Sequence, residues 1–237
     1  MTAFRQKEME GLEEPKIPGI IRYKMGRNTR KTRMGGYPSE HVIRFTALNY
    51  YQAPDRSKVK ILDFGCGAGA NTWYFAREGF DTYAFDGSLS AVTHAKKNLA
   101  RQSLKADIIT ADGLALPYED GMFDAVVDAA VICTNTLADI RAMLDEIFHL
   151  LKKGGRIFSI SFGKKTTGYG TGTGLEPDTE RDVKEGRLQN IRIHWMTRES
   201  LQGLLSSAGF SNIVIDELVY TDRGSVVHQY LAQAQKL

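Results

Sequence analysis

The chain has 237 residues, 42% apolar and 25% charged, with a formal net charge of +3. That length fits one α/β domain with a modest appendage, and the apolar share is ordinary for a protein with a substantial buried core. The net charge is too small to identify a partner, and two cysteines, Cys66 and Cys133, leave no disulfide framework and no four-ligand zinc set, so no metal is expected.

The N-terminus has no apolar signal core, and no apolar run approaches membrane-spanning length. A cytoplasmic protein without a membrane partner is the expectation. Residues 1–36 are polar, carry Pro15, Pro18 and the Gly35-Gly36 pair, and show no clean period, which reads as a loosely structured arm. Within it, Arg22, Lys24, Arg27, Arg30, Lys31 and Arg33 follow one another with no acid between them. Such a run serves as a solvated tail, as an anchor for an anionic small substrate, or as a nucleic-acid contact. Tyr23 is its one aromatic residue, a thin footprint for nucleic acid. From Pro38 a helix follows, with Val42, Ile43, Phe45, Leu48 and Tyr51 on its apolar face, and Pro54 ends the region. Residues 1–57 are therefore expected to form an arm and helix that act as a lid over a domain at 58–237.

From Val59 the chain alternates strand and helix, the rhythm of a parallel sheet with crossovers. Strands are predicted at Lys58–Phe64, Asp81–Asp86, Ala106–Thr110, Met122–Asp128 and Gly155–Phe162. Helices fall at Ala70–Glu78, at Ser88 to about Arg101, and from Thr136 or Leu137 to Lys152, where Lys153-Gly-Gly is the expected stop. In the second helix Leu89, Val92, Ala95, Lys96 and Leu99 are spaced for one face. The rhythm then breaks at 163–193, where Gly168, Gly170, Gly172 and Gly174 stand among threonines before a charged run. This reads as an insertion over the ligand edge of the sheet, with the glycine-threonine run as a hinge. A helix capped by Thr197 runs through Ser207, and Asn212–Tyr220 and Ser225–Ala234 close the chain as paired strands.

The first strand runs into Asp63-Phe-Gly65-Cys66-Gly67-Ala-Gly69 and then a helix, and the second ends in Asp86-Gly87-Ser88. Glycines let the backbone pass close to a ligand, and an acid about 20 residues on can accept both hydroxyls of a ribose. This is a nucleoside-cofactor site, and Gly65-x-Gly67-x-x-Ala70 nominally satisfies the dinucleotide pattern as well. The finer pattern differs, because a carboxylate beside the turn repels a pyrophosphate and suits a cation.

The Asp-x-Gly-Cys-Gly-x-Gly segment closely resembles motif I of the class I S-adenosylmethionine-dependent methyltransferases, and Asp86-Gly87-Ser88 resembles that family's ribose-binding loop. The resemblance covers roughly Lys58 to the C-terminus. It implies a seven-stranded, mostly parallel Rossmann-like sheet with helices on both faces and an antiparallel last strand. It implies an enzyme that uses S-adenosylmethionine and releases S-adenosylhomocysteine. Asp63 and Gly65–Gly69 would then hold the methionyl end, Asp86 the ribose, and Asp112 with the backbone of Gly113 and Leu114 the adenine. Ala129 would lie under the sulfonium. Taken by itself, Asp112 is equally a loop carboxylate closing an Asx-turn at Gly113.

For a hydroxyl acceptor a general base is useful, and His194, His41, Tyr37 and Asp128 are the candidates, His194 first because it lies at the exit of the insertion. The fourth strand exits as Asp128-Ala-Ala-Val and lacks the Asn/Asp-Pro-Pro-aromatic sequence of many base-amino methyltransferases. The leading expectation is O-methylation of a small molecule, a sugar or another metabolite. An RNA or ribosomal methyltransferase using the basic arm, and a catalytically silent cofactor-binding protein, are the alternatives.

Overall fold

The computed structural model describes residues 37–237, so the expected arm at 1–36 and its basic run lie outside the described residues. Helix α1 (Glu40–Tyr50) starts at Ser39, whose hydroxyl accepts the His41 backbone N–H. It lays Val42 and Phe45 on the sheet, the Phe45 ring stacking on Phe158 at 5.1 Å. The segment expected to be a lid thus shares a core with the domain in its described part.

Strands β1 (Lys60–Phe64), β2 (Asp81–Asp86), β3 (Asp107–Thr110), β4 (Phe123–Ala129) and β5 (Leu151–Phe162) are interleaved with α2 (Ala70–Arg77), α3 (Leu89–Ala100) and α4 (Leu137–Leu150), and a loop without a helix joins β3 to β4. Three short strands follow, β6 (Thr173–Glu176), β7 (Thr179–Arg181) and β8 (Ile193–His194), then α5 (Arg198–Ser207), β9 (Ser211–Asp222) and β10 (Ser225–Gln235). The main sheet has seven strands in the order β3-β2-β1-β4-β5-β10-β9, and β10 runs antiparallel to both neighbours. Both faces are covered, so central strands are apolar on both sides. Leu62, Phe64 and Val126 belong to the core that includes Ile140, Leu144 and Leu205 of α4 and α5, whereas Ile61, Ala125 and Val127 pack with Phe45 and Phe75 of α1 and α2. Among the described residues no helix is long and apolar enough to cross a membrane.

Three expectations are corrected. The Gly154-Gly155 pair does not stop α4, which ends at Leu150; β5 starts at once, and the pair lies in a bulge where its pairing with β4 jumps from Phe123↔Leu151 to Ala125↔Arg156. Of the apolar face predicted for α3, only Val92, Ala95 and Leu99 are buried, while Leu89 and Lys96 are exposed. Leu89 is the first helical residue, at the rim, and Lys96 keeps its ammonium in water. The insertion, expected as a loop, carries strands of its own. It folds into its own antiparallel sheet, β6-β7-β8, and buries Val183, Leu188, Ile193 and Trp195 in the main core.

Candidate active site

The C-terminal ends of the parallel strands carry the predicted residues, the edge at which open α/β sheets bind ligands. At the end of β1 the three glycines have positive φ: Gly65 +72°, Gly67 +51° and Gly69 +84°. A Cβ on Gly65 would stand 2.6 Å from the Val131 side chain, and one on Gly69 would stand 2.7 Å from Ala95 of α3. Gly67 is different, because a Cβ there would meet nothing within 4 Å. Two glycines thus let structure close around the turn, and the middle one faces open space.

Asp86, half-buried at the end of β2, holds this turn. Its Oδ2 accepts the Gly67 N–H at 2.8 Å and its Oδ1 accepts the Ser88 N–H at 2.8 Å. Each oxygen keeps a further acceptor site. Gly87 between them is exposed. The Ser88 hydroxyl is committed to capping α3, accepting from Ala91 N.

Asp63 sits elsewhere than expected. It is 1% exposed, and its Oδ2 accepts both the Thr72 N–H at 2.9 Å and the Thr72 hydroxyl at 2.6 Å, while Oδ1 accepts from Asn71. The carboxylate ties the first turn of α2 to β1 from beneath the glycine bend and presents no bare charge to a ligand. Burial, with the Asp86 charge adding to it, pushes its carboxyl up to about 6 against the hydrogen bonds that favour the anion. Cys66 is likewise turned inward, against Ala84, Val92 and Ala95, and its backbone N–H is spent on Phe85 O.

Asp128, a candidate base, is also sealed. Its Oδ1 accepts the N–H groups of Val131 and Ile132, and its Oδ2 accepts the Ser159 hydroxyl at 2.6 Å. Burial pushes this carboxyl to about 6 as well. With every oxygen engaged and the side chain fully covered, Asp128 shapes the β4 exit and does not reach an acceptor. That exit passes Ala129, half-buried, and Ala130, a non-glycine residue at φ +65°, the kind of strained position common beside ligands. At the end of β3, Asp112 Oδ1 accepts the Leu114 N–H at 3.1 Å, so the Asx-turn is present and the Leu114 N–H expected to face a base is already used. Buried Gly113 lies over the Phe64–Phe85 ring pair.

Of the candidate bases, Tyr37 and His41 lie at the α1 end. Tyr37 is 77% exposed, with its ring edge-on to Trp73 of α2 at 5.7 Å. No hydrogen bond among the described residues joins either side chain to the glycine turn or to His194. His194, on β8, is buried, and its Nδ1 is 2.7 Å from the Thr179 hydroxyl. Thr179 donates to Glu176 Oε1 at 3.0 Å, and the same oxygen accepts the Leu137 N–H of α4 at 2.6 Å. Burial holds the His194 imidazole below the usual histidine range; the Asp178 and Glu176 carboxylates pull it up and Lys164 pushes it further down.

The small sheet reaches the rim through further contacts. Strand β8 packs on the one-turn segment Ile132–Thr134 that follows the β4 exit. Arg192, beside it, donates to Thr134 O and Asn135 Oδ1, both at 2.9 Å. Glu176, Thr179 and Arg192, which tie the small sheet to α4 and to the segment after the β4 exit, are residues that sequence reasoning did not find. One signal was present: Pro177-Asp178 is a turn dipeptide, and it closes the β6–β7 hairpin with Asp178 at φ +61°.

A protein-family model described as "Methyltransferase domain" matches residues 61–155. The chain is 27% identical over 165 residues to demethylmenaquinone methyltransferase of Clavibacter sepedonicus, covering 65% of this chain and 66% of that protein. It is 30% identical over 179 residues to the chloroplastic tocopherol O-methyltransferase of Arabidopsis thaliana, covering 73% of this chain and 50% of that protein. Among solved structures, a SAM-dependent methyltransferase from Methanosarcina mazei matches with a TM-score of 0.63 at 24% identity, covering 75% of this chain and 92% of that one. The chain spans about half to two thirds of the length of the curated relatives it matches.

Proposed function

The chain belongs to the class I S-adenosylmethionine-dependent methyltransferases, and from that membership we propose that it transfers a methyl group to a hydroxyl of a small organic molecule. The observation that carries the cofactor half is Asp86. It presents a carboxylate whose oxygens each hold one backbone N–H and keep a second acceptor site, beside the open space at Gly67. A ribose diol offers two donors to such a carboxylate. The residues present therefore fit S-adenosylmethionine. Asp86 would hold the ribose, Asp112 with Gly113 and Leu114 would flank the adenine, and the backbone of Gly65–Gly69 with Ala129 would border the methionyl end. Asp63 would serve from below, by fixing the helix that follows the bend.

The bound cofactor supplies an electrophilic methyl group on a sulfonium. The chain's own contribution is alignment, exclusion of water, and removal of the acceptor's proton. We assign that last task to His194 Nε2. The imidazole is kept neutral by burial and lies on a strand packed against the β4 exit. Tyr37 and His41 do not enter this proposal, because no hydrogen bond among the described residues joins either side chain to the glycine turn or to the β4 exit, and the one ring contact of Tyr37 is to Trp73 on α2. The relatives' names, a demethylmenaquinone and a tocopherol O-methyltransferase, support a small-molecule acceptor, and the second supports oxygen.

Calorimetry with S-adenosylhomocysteine, with NAD as a parallel titrant, tests the cofactor half. Binding of the first and silence of the second is the expected result; heat from NAD alone would overturn the reading. Methyl-labelled cofactor incubated with fractionated cell extract then identifies the acceptor pool, and label confined to RNA or protein would overturn the small-molecule assignment.

A further inference from the structure

Glu176, Thr179 and His194 are cross-strand neighbours on β6, β7 and β8, with registers Glu176↔Thr179 and Thr179↔His194. A hydroxyl has one proton to give. Thr179 gives its proton to the Glu176 carboxylate, which can only accept. Its oxygen must therefore accept from His194 Nδ1, 2.7 Å away, which places the imidazole proton on Nδ1 and leaves Nε2 bare. Glu176 is itself held by the Leu137 N–H at the start of α4. The chain of bonds thus runs from the rim of the main sheet across all three strands of the small one. Nε2 makes no hydrogen bond among the described residues, yet it is not among the sealed polar atoms without a partner, as the neighbouring Trp195 Nε1 is.

We infer that Glu176 and Thr179 are positioning residues, a relay that locks His194 in the Nδ1–H form so that Nε2 is presented as the proton acceptor for a hydroxyl substrate. This deepens the proposed function and rests on its assignment of an oxygen acceptor. The step balances: the acceptor O–H proton would pass to Nε2, the oxygen's electron pair would form the new bond to the methyl carbon as the methyl–sulfur bond breaks, its pair would stay on sulfur in the departing S-adenosylhomocysteine, and the imidazolium so formed would be stabilised through Thr179 by the Glu176 carboxylate. The proton leaves to solvent afterwards. The groups that face the ring are Glu176, Asp178 and Lys164, two carboxylates and one ammonium.

The test has two arms on the full chain. In the first, protein labelled with 15N-histidine is examined by NMR, and the His194 signals are assigned by their loss in His194→Asn. Protonated Nδ1 with bare Nε2 is expected in the wild type and in Thr179→Ser, and a tautomer mixture in Thr179→Val. In the second arm the same proteins receive methyl-labelled S-adenosylmethionine and the acceptor pool of a cell extract. Thr179→Val should slow label transfer at least about tenfold, with Thr179→Ser restoring it, since a well-placed general base contributes about 100-fold or more. Bare Nδ1 in the wild type would overturn the relay, as would a Thr179→Val protein with unchanged tautomer and rate. A changed tautomer with an unchanged rate would overturn the base. The NMR arm needs no cofactor, so failure of S-adenosylhomocysteine to bind would refute the parent reading separately.

Discussion

Four aspartates stand at or just beyond the C-terminal ends of neighbouring strands, and the fold divides them into two pairs. Asp63 on β1 and Asp128 on β4 are sealed, 1% and 0% exposed, with their oxygens spent on hydroxyls, a side-chain amide and backbone N–H groups. Asp86 on β2 and Asp112 just past β3 are half-buried; Asp86 accepts one N–H from its own turn and one from the glycine turn after β1, Asp112 accepts one from its own turn, and both keep acceptor capacity. The inner pair lies on the central strands, under the bend and the β4 exit; the outer pair lies on strands toward the sheet's edge, where the turns open. Residue type is the same in all four. Depth decides whether the carboxylate builds the site or meets what enters it.

The sharpest way to break this division is Asp128→Ala. It strands two backbone N–H groups and the Ser159 hydroxyl in a dry interior. Each buried group left unpaired costs about 1–3 kcal/mol, and relief of the buried charge offsets part of that, so a net loss of about 3 kcal/mol is expected. Urea unfolding measures it. Asp128→Asn, which keeps a carbonyl for the two N–H groups, should stay within about 1 kcal/mol of the parent. A loss as small in the alanine variant would show that the carboxylate does not hold the exit.

Burial also gives the inner pair a signature in pH. Both carboxyls sit near 6 in the folded protein against 3.8 ordinarily. The native state then binds more protons than the unfolded chain between those values, so their contribution is fully present below about pH 4 and is lost as pH rises through about 6. His194 and His228, both held below the histidine range by burial, act in the opposite sense, because the unfolded chain binds more protons there and stability rises with pH. The share of stability carried by these two carboxyls should therefore fall between about pH 4 and 6, and the stability of Asp63→Asn should decline less, or rise more, with pH across that range than that of the parent. An identical slope in the variant would mean that Asp63 ionises as freely as a surface acid.

For the outer pair the effect moves from stability to binding. Asp86→Ala should weaken S-adenosylhomocysteine at least tenfold, about 1.4 kcal/mol, through loss of the ribose bonds. Its unfolding midpoint should move less than that of Asp128→Ala, because water can reach the Gly67 and Ser88 N–H groups at a half-exposed site. Unchanged affinity by calorimetry would sink the ribose assignment.

The division between the pairs was only half legible in the sequence. The strand-turn-helix at 59–77, Asp86 and the antiparallel last strand could be read because local chemistry dictates them: glycines at a bend, an acid at a strand end, alternating apolar runs. The burial of Asp63 could not, since it depends on Thr72, in the first turn of α2, meeting it across the glycine bend. The small sheet was obscured by its own composition. Gly168, Gly170, Gly172 and Gly174 weaken any strand pattern, and what makes the segment fold is the burial of Val183, Leu188 and Trp195 in a core supplied by distant elements. His194 was found as a residue type. Its tautomer, fixed by a threonine 15 positions away, is a property of strand register.

The smallest effect concerns Asp112, where the two pairs come closest to overlapping. Its Oδ1 already closes a turn on Leu114 N–H, as an inner carboxylate would, and its Oδ2 has no partner among the described residues. Asp112→Asn keeps an oxygen for Leu114, so the turn survives and stability should stay within about 0.5 kcal/mol. What changes is the other atom, from an acceptor to an NH2 donor. Facing the amino group of an adenine, a donor meets a donor, and S-adenosylhomocysteine should bind roughly threefold to tenfold more weakly, up to about 1.4 kcal/mol. An analogue lacking that amino group should bind the parent and the variant alike. Equal affinities for S-adenosylhomocysteine itself would place Asp112 with Asp63 and Asp128, as a residue that shapes its loop and meets no ligand.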